Sequence, residues 1–115
     1  LETLTVDIDQ MENAVTTATR MILIAHVYGA RGDVRPVIEL ARRYGLLVVE
    51  DCAEALDGMR YKGHPEADVA LFSFGPIKFS SVFQGGIMRV KNKKLLHRLV
   101  AAHAKWPLQV RSYSR

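Results

Sequence analysis

Asp51, Ser73 and Lys78 are the residues of this sequence whose types could combine into a reaction. Asp51 follows the apolar run Leu46–Val49 and Glu50. Ser73 stands near the end of the run Val69–Phe74, and Lys78 lies just past the Gly75-Pro76 break. Taken singly, a strand-end aspartate is commonly a cap or a surface charge, and a loop lysine is commonly solvated. Taken together they offer a carboxylate, a hydroxyl and an amine. In an open α/β sheet, ligands bind beyond the carboxyl ends of the parallel strands. The three groups therefore share one edge if the apolar runs before them are parallel strands.

The surrounding elements support that condition. Arg20 to Tyr28 is an apolar, β-leaning run suited to a buried strand. A polar loop, Gly29 to Asp33, leads to Pro36, where a first helical turn tolerates proline. Val37, Leu40, Ala41 and Tyr44 then form one apolar stripe, closed by Gly45. Leu46–Val49 and Val69–Phe74 read as the second and third strands, and Gly85-Gly86 introduces a fourth, Ile87–Val90. Asn92 caps a last helix with Leu95, Leu96, Leu99 and Val100 on one face and Lys93, Lys94 and Arg98 outside. Near the start, Asp9 and Glu12 read as a capping box before a short amphipathic helix carrying Met11, Ala14, Val15 and Ala18. Residues 57–68 are rich in Gly, Pro and charge, hence mostly turn and loop. Strand–helix–strand alternation predicts an α/β fold with a mainly parallel sheet.

A lysine that forms a Schiff base with pyridoxal phosphate needs an acidic partner elsewhere to keep the pyridine nitrogen protonated. A serine hydroxyl five residues before the lysine can hydrogen-bond the phosphate. The released amine is the natural general base for moving the substrate's proton.

The ordered set His26-Val27-Tyr28-Gly29, Asp33, Glu50-Asp51-Cys52-Ala53-Glu54-Ala55, Phe72-Ser73-Phe74, Lys78 and Gly85-Gly86 resembles the DegT/StrS family. These are fold type I, pyridoxal-phosphate-dependent sugar aminotransferases. The resemblance implies a partial fold type I large domain over residues 1–107 with four strands, three parallel and the last antiparallel, followed by a basic tail at 108–115. It implies that Asp51 pairs with the pyridine nitrogen, that Ser73 binds the phosphate and that Lys78 carries the cofactor covalently. It also implies a cofactor contact for His26. Position 54, usually Gln or His on the side of the ring's 3-hydroxyl, is Glu54 here; a carboxylate there would repel a phenolate-like oxygen unless one of the two holds a proton. The implied partners are a keto-sugar, nucleotide-linked, and an amino-acid donor, with a homodimer at full length. Two other readings stand beside this one: a non-catalytic relic or binding module on the same fold, and a nucleic-acid binder using residues 78–115.

That last reading comes from charge. The 115 residues carry a net charge of +4. Residues 1–68 hold all 12 acidic side chains and 7 basic ones; residues 69–115 hold 9 basic side chains and no acid. A basic stripe is the electrostatic footprint of a polyanion binder, although the basic half has no recognition-helix or finger spacing. About half of the chain is apolar and 24% is charged, ordinary for a globular domain. A single cysteine, Cys52, excludes an internal disulfide framework and a cysteine-based zinc site, and it reads as a buried filler. His64, His97 and His103 have no partner at metal spacing, so no metal is expected. No apolar run approaches a membrane span and no signal-peptide pattern opens the sequence, so the expected setting is the cytoplasm.

Overall fold

The computed structural model describes residues 6–58, 60–75 and 85–107. Helix α1 (Ile8–Asn13) precedes strand β1 (Met21–Ala25), helix α2 (Arg35–Tyr44) and strand β2 (Leu47–Asp51). Strands β3 (Val69–Ser73) and β4 (Gly86–Val90) and helix α3 (Lys93–His103) complete the order. The sheet runs β1-β2-β3-β4, with the first three strands parallel and β4 antiparallel to β3. This is the expected α/β arrangement.

Parallel strands need a crossover, and α2 supplies one between β1 and β2. Pro36 sits in its first turn, and Gly45 ends it in the left-handed conformation at φ 64°. A Cβ is disfavoured at that φ, which is why glycine closes the helix. Val37, Ile38, Leu40 and Ala41 are all buried, packed with Ile22, Ile24 and Val48 of the sheet and with Ala67. Half-buried Ile8 and Met11 bring α1 onto this core. A smaller cluster, Cys52, Ala55, Ala70 and Phe72, lies beneath the loop after β2, with Tyr61 packed against it. On the other face the edge strand β1 is exposed, with Met21 at 51% and Leu23 at 53%, whereas Val49 of β2 and Val69 of β3, in the same row as Leu23, are buried.

Several boundaries differ from expectation. The first helix is capped by Asp7, whose carboxylate accepts the Gln10 N–H at 3.0 Å, rather than by Asp9. It stops at Asn13, before Ala14, Val15 and Ala18. The threonines that follow explain the stop. Thr16 N–H donates to Thr19 Oγ1 and Ala18 N–H to Thr16 Oγ1, local bonds that compete with a helical backbone. β1 ends at Ala25, and Val27–Gly29 forms a short 3₁₀ turn. β2 extends through Glu50 and Asp51.

Candidate functional site

Strand register decides which groups share a face. Ala25, Asp51 and Leu71 lie in one row across β1, β2 and β3, and Ser73 stands one pleat further along β3 on the same face, opposite the one that α2 covers. Ile24, Glu50 and Ala70 form the neighbouring row on the covered face. Two adjacent carboxylates on β2, Glu50 and Asp51, thus serve opposite sides of the sheet.

Asp51 is half-buried, and its Oδ1 accepts the Ala53 N–H at 2.9 Å. It lines a cleft of about 200 Å³ together with Ala25, His26, Val27, Ala53 and Glu54. This cleft lies at the carboxyl ends of β1 and β2. Ser73 closes β3, and its Oγ is buried with no hydrogen-bond partner among the described residues. A buried hydroxyl without a partner is uncommon in a folded chain. Lys78 and the tail 108–115 lie outside the described residues.

Glu54 is committed to the backbone. Its Oε2 accepts the N–H of Tyr28 at 2.9 Å, and Tyr28 holds a left-handed φ of 55°. That conformation is disfavoured for a residue with a bulky side chain, and the Glu54 carboxylate ties it down. Tyr28 itself is 82% exposed. The Glu at this position therefore braces the loop after β1 as well as lining the cleft.

His26 is buried, and its Nε2 lies 2.9 Å from Glu50 Oε2. Glu50 is fully buried and accepts two further hydrogen bonds, from Tyr61 OH to Oε2 at 2.6 Å and from His64 N–H to Oε1 at 2.5 Å. The Tyr61 hydroxyl is pushed well above its ordinary pKa by burial and by its bond to Glu50. The donor atoms of His26, Glu50 and Cys52 lie within 4.8 Å of one another, a set with metal-binding chemistry. Both Glu50 oxygens, however, already accept protein hydrogen bonds. Cys52 is buried, and burial followed by the charges of Glu50 and Asp51 pushes its thiol up to about 12. A thiol so placed keeps its proton at neutral pH and is a poor nucleophile, in keeping with a filler.

Glu50 and Tyr61 carry no role in the sequence reading. Glu50 offers one signal: an acidic residue continuing a buried apolar run must be satisfied internally. Tyr61, His64 and Gly63 lie in a turn-rich loop with no periodicity to mark them. Gly63 adopts φ 78°, and a Cβ there would meet the Ala70 Cβ at 2.4 Å. Only glycine lets this loop come down onto β3 and present the His64 N–H to Glu50. Arg89 of β4 donates to the carbonyls of Lys62, His64 and Ala67 and holds the same loop from the other side.

Residues 1–105 match the sequence profile described as the DegT/DnrJ/EryC1/StrS aminotransferase family. The chain is 35% identical over 100 residues to GDP-perosamine synthase of Escherichia coli O157:H7, covering 84% of this chain and 27% of that protein. Among solved structures it resembles DesV of S. venezuelae with a TM-score of 0.72 and 37% identity, over 94% of this chain and 29% of DesV. NtdA of Bacillus subtilis, determined with the cofactor PMP bound, aligns with a TM-score of 0.68 and 33% identity, over 78% of this chain and 20% of NtdA. The chain thus spans under a third of the length of each.

Proposed function

The chain belongs to the DegT/DnrJ/EryC1/StrS aminotransferase family, and from that premise we propose that it forms the pyridoxal-phosphate-binding segment of a sugar aminotransferase. The reaction would move an amino group from an amino-acid donor to a nucleotide-linked keto-sugar. The nucleotide-linked substrate is supported by the name of GDP-perosamine synthase, and the cofactor by the PMP bound in NtdA. When bound, the cofactor supplies an electron-withdrawing ring that makes the substrate's α-proton removable.

The single observation that carries this reading is that Asp51 and Ser73 share one face of adjacent strands, with Ser73 Oγ buried and without a hydrogen-bond partner among the described residues. The two groups fit the cofactor chemically. A carboxylate can hold a proton on a ring nitrogen, and a hydroxyl can donate to a phosphate oxygen. Lys78 would carry the cofactor covalently and then act as general base. His26 and Glu54 line the same cleft, His26 turned to Glu50 and Glu54 bracing Tyr28. At full length we expect a homodimer.

Spectroscopy tests the reading. The full-length protein mixed with pyridoxal phosphate should gain a visible absorption band, and borohydride should fix the label on Lys78. Lys78→Ala should abolish both. A full-length protein that takes up no pyridoxal phosphate would sink the proposal.

A further inference from the structure

Glu50 is the one fully buried carboxyl group of the described residues, and the chemistry proposed above does not use it. Burying a carboxylate costs several kcal/mol unless its oxygens are satisfied, and here both are. Tyr61 OH and the His64 N–H donate to it from the loop after β2, and the His26 imidazole meets it from the end of β1. The pair is closed in from outside. Tyr61 stacks edge-on against His26 with ring centroids 5.9 Å apart, and the Arg31 guanidinium lies 5.0 Å over the Tyr61 ring. Replacing buried polar networks by apolar residues is often neutral or stabilising. The stability of the fold alone therefore does not account for a fully satisfied carboxylate here.

What the network holds is visible in the bonds of His26. Its side chain meets Glu50, and its backbone N–H donates to the Asp51 carbonyl at 3.0 Å. One residue of β1 therefore grips two consecutive residues of β2, the first by its side chain and the second by its backbone. Because side chains alternate along a strand, anchoring Glu50 on one face fixes the direction in which Asp51 leaves on the opposite face. The Ala53 N–H bond to Asp51 Oδ1 completes the constraint.

We infer that the Glu50–His26 pair, closed by Tyr61, is a positioning device that sets the orientation of the Asp51 carboxylate at the cleft. Its functional meaning rests on the cofactor reading of Asp51, but its structural content can be tested separately. The readout is amide hydrogen exchange in the full-length protein, followed by fragment-resolved mass spectrometry. In Glu50→Ala, the His26 and Ala53 amides, both bonded to Asp51, should lose about tenfold or more in protection, while those of Ile38 to Ala41 in α2 change by less than about twofold. Glu50→Gln, which keeps an acceptor oxygen, should recover part of that protection. Unchanged protection at His26 and Ala53 overturns the inference, and so does a uniform loss that includes α2. If Glu50→Ala fails to fold, Tyr61→Phe removes one donor while keeping the ring. It should show the same local pattern, with a loss of about threefold, and an unchanged pattern there overturns the inference equally. Failure of the cofactor reading looks different: wild-type full-length protein takes up no pyridoxal phosphate, yet the exchange pattern of the Glu50 variants stands.

Discussion

Helices α2 and α3 are built alike and packed differently. They have 10 and 11 residues, each carries an apolar stripe at helical spacing, and each packs on the same sheet. Yet α2 buries Val37, Ile38, Leu40 and Ala41, and α3 buries none of its residues; Leu95 and Leu99 are half-buried, Leu96 is exposed and Val100 is 60% exposed. The difference lies in what each helix meets. The crossover from β1 to β2 lays α2 across two strands, whereas α3 follows the edge strand β4 and, among the described elements, rests against it alone. An amphipathic pattern specifies which face a helix would bury; whether a surface exists to receive that face is a tertiary matter.

Mutations that grade the two sides against each other should break or sharpen this contrast. The largest effect belongs to Leu40→Ala, which removes a fully buried side chain and should cost about 3 kcal/mol, read from urea unfolding. Gly63→Ala should cost about 2 kcal/mol, because its Cβ would strike Ala70 and its φ of 78° disfavours any side chain. The covered side also predicts an alkaline weakness. The Cys52 thiol is raised from its ordinary 9.0 to about 12, so the folded chain holds a proton that the unfolded chain releases. The resulting stability is present below pH 9.0 and is lost as pH climbs towards about 12. Cys52→Ala should flatten part of that decline, as followed by circular dichroism against pH.

On the other side, Asn92→Ala removes the side-chain acceptor of the Lys94 and Leu95 N–H groups. Capping is worth about 1 kcal/mol, and here the loss should appear as fraying of α3 in hydrogen exchange, with the global midpoint unmoved. Val100→Ala should be the mildest, under about 0.5 kcal/mol. A cost for Val100→Ala comparable to that of Leu40→Ala would show that α3 is buried in solution after all, and the contrast would fall.

The legible parts of the sequence were those set by local chemistry. Pro36 and Gly45 bounded α2, Asn92 capped α3, and the apolar runs marked all four strands. The first helix was misplaced because the Thr16–Thr19 side chains bond to nearby backbone, and propensity alone did not say that those bonds would win. The charge split of residues 69–115 was plain from sequence, and in the structure Arg89 spends its charge on the carbonyls of the loop ahead of β3. Within the site, Asp51 and Ser73 could be named from their residue types and from the ends of the runs that carry them. The hold of Glu54 on Tyr28 could not, because it joins residues 26 positions apart.

By itself the sequence determined that two strands carry Asp51 and Ser73 at their carboxyl ends, because hydrophobic runs, prolines and glycines act over a few residues. The tertiary structure alone decided which face each carboxylate of the Glu50-Asp51 pair serves. It also decided that His26 turns to Glu50, that Gly63 must stay bare to let its loop reach β3, and which face of the sheet α2 covers. Those outcomes depend on strand register and on which element lies across which, and neither is encoded within any short stretch of residues.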